Sequence, residues 1–514
     1  MKLNYKRTIC VGFAFFLICA FWQAYDNTIP LILTNKFGMS QAWSGVIMAL
    51  DNILALFLLP LFGAISDKHT GRRGRRTPFI VFGTIVAAIA FISLSLVDDA
   101  QLKSIDAAAA IDDPAVVYQQ EADRTLKTPD GETFVLEDTF TEDEFAAITS
   151  QVTNAEGKTV TNHDYTNYVV PARQAYAHQT TVQHPGALIG FIALLLVVLV
   201  AMATFRSPAV ALMPDVTIKP LRSKANAVIN LMGTAGGILV LAIGMAFATS
   251  SVRNSLMSYT AYFAVIAGIM LVALLIFRLT VNEPKFVAEM QADSKRFGID
   301  NGDDDAPAGS GKLGKAERRS LIFLLLSIVL WFFGYNAVTS KYSVYASNIL
   351  HKDYNLTLML AQAAAIVAYL PVGIVASKIG RKKTILGGVV MLAVAFGVAA
   401  FLNAESPTML MNAMFCLAGI GWATINVNSF PMVVEMCSGS DVGRYTGFYY
   451  TASMAAQVVT PMFSGFLMDK LGMTVLFPYA AIFVAGAFVT MLFVRHGDSR
   501  PIPAKGLEAL DVDD

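Results

Sequence analysis

The feature that most limits what this chain can fold into is a recurring apolar run, each about the ~20 residues needed to span a ~30 Å hydrocarbon layer. Such runs fall at 10–34, 43–66, 78–97, 186–206, 224–249, 258–280, 320–346, 356–377, 384–403, 408–432, 444–468 and 474–495. In hydrocarbon every backbone N–H and C=O must be satisfied within the segment, so runs of this length specify helices. With 55% hydrophobic and 15% charged residues over 514 positions, the chain has too little polar surface for a soluble protein of its size. The expectation is an all-α integral membrane protein with twelve transmembrane helices and the lipid bilayer as its first partner.

Lys and Arg in short loops resist transfer across a membrane, which sets orientation. With a cytoplasmic N-terminus, the inner segments collect 28 of the 38 Lys and Arg, including the "GRRGRR" and "GRKK" loops. The first apolar run is long, is interrupted by Gln23 and Asp26, and lacks a small-x-small cleavage site, so it reads as helix 1 and not as a signal peptide. A multi-pass protein of the cell (inner) membrane with both termini cytoplasmic is expected. With a net charge of zero, no nucleic-acid partner is expected.

That zero hides a division. Residues 98–184 hold 16 acidic and 5 basic side chains, a net −11, so the remainder carries +11. Placed outside by this topology, the 98–185 insertion is too long for an ordinary connection. It reads as a solvated, partly ordered acidic insertion, with a compact lid or partner-binding module as the alternative. "TEDEFAAITSQV" can open a helix there, with Thr141 as N-cap and Glu144 at N3. None of the four cysteines lies in it, so no disulfide staples it. A second polar block, 281–319, reads as a cytoplasmic linker. Its near match to a phosphate loop, Gly309 to Lys315, puts Ala316 where Ser or Thr should hold magnesium, which argues against nucleotide binding. Residues 497–514 read as a cytoplasmic tail.

The two flanks of that linker repeat one another. At an offset of 310, "AYD" (24–26) meets "GYN" (334–336), Asn52 meets Gln362, and Gly63 meets Gly373. "GAISDKHTGRRGRR" answers "GIVASKIGRKK". The loops after helices 4 and 10 each give an acid followed by an Arg at the next helix start, Asp215 with Arg222 and Glu435 with Arg444. Two parallel six-helix halves follow, 1–97 with 186–280 and then 320–496.

Gly63, Asp67, Gly71 and the arginines after them resemble the G-x-x-x-D-…-G-R-[RK] loop of the major facilitator superfamily, over a likeness that extends through all twelve helices. "SDKHTGRRGRRTPFI" and "FRSPAVALMPDVTIKPLRSKANA" are similar to the sucrose–proton symporter branch and to the glycoside-pentoside-hexuronide cation symporters. The resemblance implies the major facilitator fold and a cytoplasmic gate built from Gly63, Asp67, Arg72, Arg73, Arg76, Asp215, Arg222, Glu435 and Arg444. Asp67 lies near the C-terminus of helix 2, where the macrodipole is already negative and a cationic partner is needed. Ser377 stands where the second half would carry the matching Asp.

A carboxylate at mid-helix costs ~2.5 kcal/mol or more on insertion scales, which makes intramembrane acids functional candidates. Asp26 lies eight residues before the end of helix 1 and Asp51 eight after the start of helix 2, each roughly 12 Å from the outer surface at about 1.5 Å per residue. Like charges at similar depth resist both being ionised, so one would hold a proton near neutral pH, as a proton carrier must. Trp22, Tyr25, Asp26 and Ile29 share a helical face, answered on helix 7 by Trp331, Tyr335 and Tyr342 with Asn336 beside them. Helix 10 adds Trp422, Asn426 and Asn428. Aromatic faces with amides and carboxylates suit a sugar, so these residues, with Asn52 and Lys341, are candidate substrate contacts. Lys341 could also pair with Asp51, or snorkel outward.

The sodium-coupled relatives carry paired aspartates before the helix 2 proline; here Ala55 and Leu59 stand before Pro60. Sodium is therefore disfavoured as coupling ion, and no cofactor beyond a proton is expected. The helix 4 Asp that the plant symporters resemble is absent from 186–205, which leaves Asp26 and Asp51 for proton coupling. The reading is a monomeric proton-coupled symporter of a neutral sugar, a disaccharide or other glucoside, working by alternating access and not an enzyme. The alternatives are a proton-driven exporter of amphipathic compounds and a non-transporting sugar sensor whose 98–185 segment binds an unknown partner.

Overall fold

The computed structural model describes residues 3–104, 113–153, 159–218, 221–296, 314–434, 436 and 442–497. Its long helices are α1 (Tyr5–Asn35), α2 (Gln41–Lys68), α3 (Thr77–Ser104), α4 (Gly186–Asp215), α5 (Arg222–Ala246), α6 (Thr260–Thr280), α7 (Lys315–Tyr345), α8 (Tyr354–Ile379), α9 (Arg381–Ala399), α10 (Thr408–Val434), α11 (Val442–Leu471) and α12 (Leu476–Leu492). Among the described residues ten helices are long and apolar enough to cross a membrane, and the apolar part of α8, Tyr354–Tyr369, is shorter. The protein is a multi-pass membrane protein. Caps start several helices: Asn4 accepts from the Arg7 N–H, Ser40 from that of Trp43, and Asp353 from that of Asn355.

Helix pairings repeat with a step of six. α1 packs on α5 as α7 packs on α11; α3 on α4 as α9 on α10; α2 on α4 as α8 on α10; and α3 on α6 as α9 on α12. Each half has its own apolar core, one around Phe21, Tyr25 and Phe91, the other around Trp331, Tyr342 and Phe477. The halves meet through α2 with α11 and through α5 with α8, interfaces that the same step exchanges.

Helix ends depart from the apolar runs. α4 continues beyond 206 to Asp215, and α3 beyond 97 to Ser104, because helical hydrogen bonding does not stop where hydropathy does. A boundary at 98 therefore falls inside α3. There Asp98 is fully buried and bonded to the Lys36 ammonium, and Asp99 lies 3.3 Å from the same nitrogen. Gln101 and Lys36 are likewise buried in this end of the first half.

The insertion is more folded than a solvated tether. Its described part carries helices at Pro114–Glu121 and Val170–Gln183 and two antiparallel hairpins, 125–127 with 133–135 and 151–153 with 159–161. Val117, Leu126, Leu136, Phe145 and Val169 form a core that also takes in Val252 from the α5–α6 connection. The correction has a physical source: the described acidic side chains between 113 and 164 are exposed, Glu121 apart, while apolar residues scattered singly among them converge only in three dimensions. Thr141 and Glu144 make a reciprocal capping box at the start of the five-residue helix Glu142–Ala146.

The end of the molecule that carries this insertion is closed between the halves. Asp469 of α11 accepts from the N–H groups of Gln41 and Ala42, each at 2.8 Å. Lys341 of α7, fully buried, donates to the Gln41 carbonyl at 2.7 Å. On the other interface the Thr249 hydroxyl takes bonds from Tyr354 at 2.8 Å and Asn355 at 3.0 Å. A Cβ on Gly45 would overlap the Pro461 carbonyl, and one on Gly465 that of Gln41, so α2 and α11 touch main chain to main chain.

Candidate functional site

A cavity of about 200 Å³ lies between the halves. From α1 it receives Trp22 and Asp26; from α2, Met48, Asp51 and Asn52; from α4, Arg206; from α7, Asn336, Thr339 and Ser340; from α11, Gln457 and Pro461. Trp22 and Asp26 are one helical turn apart, as are Asn336 and Ser340, so one face of each pseudo-equivalent helix supplies polar groups. The Asp26/Asn336 pair, matched by the offset of 310, thus lines one cavity, one residue from each half.

Two carboxylates and one guanidinium share this space. Asp26 and Asp51 lie within electrostatic reach of one another, and Arg206 of both. Asp51 accepts from the Asn52 amide at 2.7 Å, and the Arg206 guanidinium sits 5.5 Å from the centre of the Trp22 ring. A single guanidinium balances one carboxylate; the second needs a proton or another cation. Trp22 and Asn336 line this space, and the Trp22 indole N–H and the Asn336 amide nitrogen are buried with no hydrogen-bond partner.

Other residues singled out from the sequence lie elsewhere. Tyr25 is fully buried in the first-half core, its ring stacked 5.9 Å from Phe21, because it sits about 100° around α1 from Asp26. Trp331 is fully buried in the second-half core. Tyr335 and Trp422 stack on each other, centroids 3.7 Å apart and planes parallel within 1°, so each covers one face of the other. Asn428 donates to the Thr424 carbonyl of its own helix at 2.9 Å, and Asn426, exposed, bonds Tyr369. Lys341 bonds Gln41 instead of pairing with Asp51. Gln23 and Gln362 meet across the halves, Gln362 donating to Gln23.

At the opposite end, near the linker, the charges gather around Asp215 and Glu283. Asp215 takes Arg75 at 2.5 and 3.1 Å and Arg76 at 2.8 Å, and Arg76, buried, also donates to Ser66 in the last turns of α2. Glu283, buried, accepts from the N–H groups of Arg75, Arg76 and Thr77 and from the Thr77 hydroxyl at 2.7 Å, capping α3. Arg72 and Arg73 are exposed, and Gly63 lies on the same stretch of α2, its carbonyl 3.5 Å from Arg76. Glu435 lies outside the described residues, as do the side chains of Asp67, Arg222 and Arg444. Among the described residues no group of three or more His, Cys, Asp or Glu could hold a metal ion.

Sequence reasoning missed Arg206 and Glu283. Arg206 ended an apolar run and was read as a boundary; its signal was a basic residue flanked by "VAMATF" and "SPAVAL", a cation with apolar sequence on both sides. Glu283 was absorbed into the polar block after helix 6.

Comparison with known proteins places this geometry. The family model described as Major Facilitator Superfamily matches residues 180–367 and 348–510, and the one described as MFS/sugar transport protein matches 10–100. The chain is 25% identical over 147 residues to the MFS-type transporter ppzB of Metarhizium rileyi (strain RCEF 4871), covering 28% of this chain and 29% of that one. It is 40% identical over 55 residues to the sucrose transport protein SUC4 of Arabidopsis thaliana, 11% of each. These matches therefore span less than a third of either relative. Among solved structures, the inward open conformation of the xylose transporter XylE from E. coli superposes with a TM-score of 0.58 at 14% identity, covering 99% of both chains. At that identity the likeness is one of fold.

Proposed function

Because this chain belongs to the major facilitator superfamily, we propose that it is a secondary active transporter that moves a neutral sugar, a disaccharide or other glucoside, together with protons by alternating access. In this reading twelve helices cross the cell (inner) membrane as two pseudo-symmetric bundles of six, with both termini cytoplasmic and the insertion outside. The observation that carries it is the cavity: Trp22 and Asn336, one from each half, line it together with two carboxylates and one guanidinium. A sugar supplies ring oxygens and hydroxyls to the unpartnered donors and an apolar face to Trp22, while its own hydroxyls donate to Asp26 or Asp51.

The coupling step follows from the charge count. With one carboxylate balanced by Arg206, the other is neutral only when it carries a proton, so a proton and an uncharged substrate together leave the cavity with no net charge. A neutral cavity is cheaper to carry through the low-dielectric occluded state than a charged one. Asp26, on the same face as Trp22, would then serve both substrate and proton. The matched family descriptions and the names of the sucrose and xylose transporters support sugar as the substrate class. A proton serves as coupling ion in place of sodium.

Purified protein in liposomes, tested with a panel of labelled sugars with and without a pH gradient, checks the proposal. Asp26→Asn is expected to abolish uphill accumulation and substrate-induced proton uptake while sugar exchange at equal concentrations survives. Proton-coupled uptake at the wild-type level in that variant would sink the coupling assignment; inhibition by lipophilic cations with no sugar competition would sink the substrate class.

A further inference from the structure

The insertion touches both halves, in two different ways. Toward the first half it is rooted. Val252 is part of its core, Gln174 donates to Asn35 at 2.9 Å, and the Thr181 hydroxyl bonds Gln101 at 2.8 Å and the Phe37 carbonyl at 3.0 Å. Gly38, at φ +61°, lies so close to the Gln174 and His178 backbone that no side chain fits between.

Toward the second half the contacts among the described residues include backbone and side-chain hydrogen bonds. The Met473 N–H donates to the Pro129 carbonyl at 2.6 Å, where the 125–135 hairpin meets the α11–α12 turn, and Gly131 and Gly472 face each other there. Lys127 donates to the carbonyl of Asp469 at 3.3 Å, the residue whose carboxylate holds α2. Farther along, Thr166 Oγ1 lies 3.3 Å from His351 Nε2, and the His163 and His351 rings meet edge to face at 5.0 Å. A unit rooted in one half by apolar packing, and held to the other by hydrogen bonds, detaches at the second contact first.

We propose that residues 113–153 and 159–183 form a strap across the closed end, which must let go of the second half before that end opens, with the His163–His351 contact as its acid-released latch. The strap lies on the gate itself, since Lys127 grips Asp469 and Asp469 grips α2. The latch has a sign. Burial, then the neighbouring His163 ring, hold His351 down to about 4 from its ordinary 6.5, with Lys352 adding to this and the Ser347 carbonyl opposing it. A proton on the His351 ring would set its positive charge against that of Lys352. Docking is therefore unpenalised above 6.5 and weakens as pH falls through that value toward about 4. An acid outer medium, the condition under which inward proton flow is downhill, would loosen the strap when an open outer face is useful; this last clause rests on the transport reading above.

Two measurements test the strap. In a background with Cys10, Cys19, Cys416 and Cys437 replaced by Ser, the pair Pro129→Cys and Met473→Cys is cross-linked by mild oxidant; flux is expected to fall at least tenfold and to return on reduction. Undiminished flux through the cross-linked protein overturns the proposal. Independently of any substrate, spin labels on the exposed Arg253→Cys and Glu405→Cys should show a longer inter-half distance gaining population as pH drops from above 6.5 to about 4. His351→Asn, which keeps a side chain tolerant of the φ of +51° found there, should remove that pH response. A wild-type distance that ignores pH, or a variant that keeps the response, overturns the latch. A parent protein that moves no sugar but passes the distance test leaves the strap standing and refutes only the transport reading.

Discussion

Asp469 of the second half caps α2 of the first, its carboxylate accepting the Gln41 N–H at 2.8 Å as well as that of Ala42. A helix N-terminus presents unpaired N–H groups and partial positive charge, so an anion from the opposite bundle serves as a removable cap. Asp469→Asn keeps an acceptor but loses the charge, weakening the closed end by about 1 kcal/mol, roughly a fivefold shift toward the open state. The distance between spin labels on Arg253→Cys and Glu405→Cys reads this directly, and an unchanged distribution would contradict the capping role.

Glu283→Gln should loosen the linker end. The carboxylate is buried and holds three successive N–H groups, Arg75 to Thr77. Gln offers one acceptor and turns an NH2 toward donors, a loss of about 2–3 kcal/mol for charge-assisted bonds. Faster hydrogen exchange at 75–77 and a lower Tm are expected, and exchange that stays slow would argue that the cap is dispensable.

How much of this was legible beforehand depends on what kind of signal each residue leaves. The helices are: apolar runs are local, and the step of six in the pairings is the offset of 310 seen in space. Trp22, Asp26, Asp51, Asn52 and Asn336 stand out as polar or aromatic groups within apolar runs, and all five line the cavity. Orientation around a helix is not legible to better than the breadth of a face, so Tyr25, one position from Asp26, went to the core. Pairing partners leave still less trace: nothing local joins Lys341 to Gln41, three hundred positions away. Arg206 was hidden by its place at the end of a run that the helix outlives.

The two tryptophans that look alike in sequence should behave differently. Trp22, half-buried at the cavity with an unpartnered N–H, is expected to lower sugar affinity about tenfold or more on Trp22→Ala, with the folded yield kept. Trp331 is fully enclosed, so Trp331→Ala should cost about 3–5 kcal/mol of stability and show mainly as lost folded protein. Binding isotherms beside thermal melts in detergent separate the two; a reversed pattern would exchange their roles.

The strap carries its own pH dependence, opposite in sign to the latch. Glu121 is enclosed in the insertion, bonded to Gln179, and burial lifts its carboxyl to about 7 despite Arg124 nearby. The folded form therefore holds the proton more tightly than the unfolded one. Its contribution is complete below the ordinary value of 4.5 and is lost as pH rises through about 7. Hydrogen exchange of residues 114–121 is expected to quicken across that interval, and Glu121→Gln to flatten the profile.

At the closed end, Gly45 rests on the Pro461 carbonyl and Gly465 on that of Gln41, main chain against main chain. A joint made of side chains can yield by degrees, each rotamer giving a little. Two bare backbones have no such slack, so this joint behaves as a detent: seated, or unseated, with no graded position between. The carrier's two faces would then alternate in a single click, and the strap acts by deciding when it is thrown.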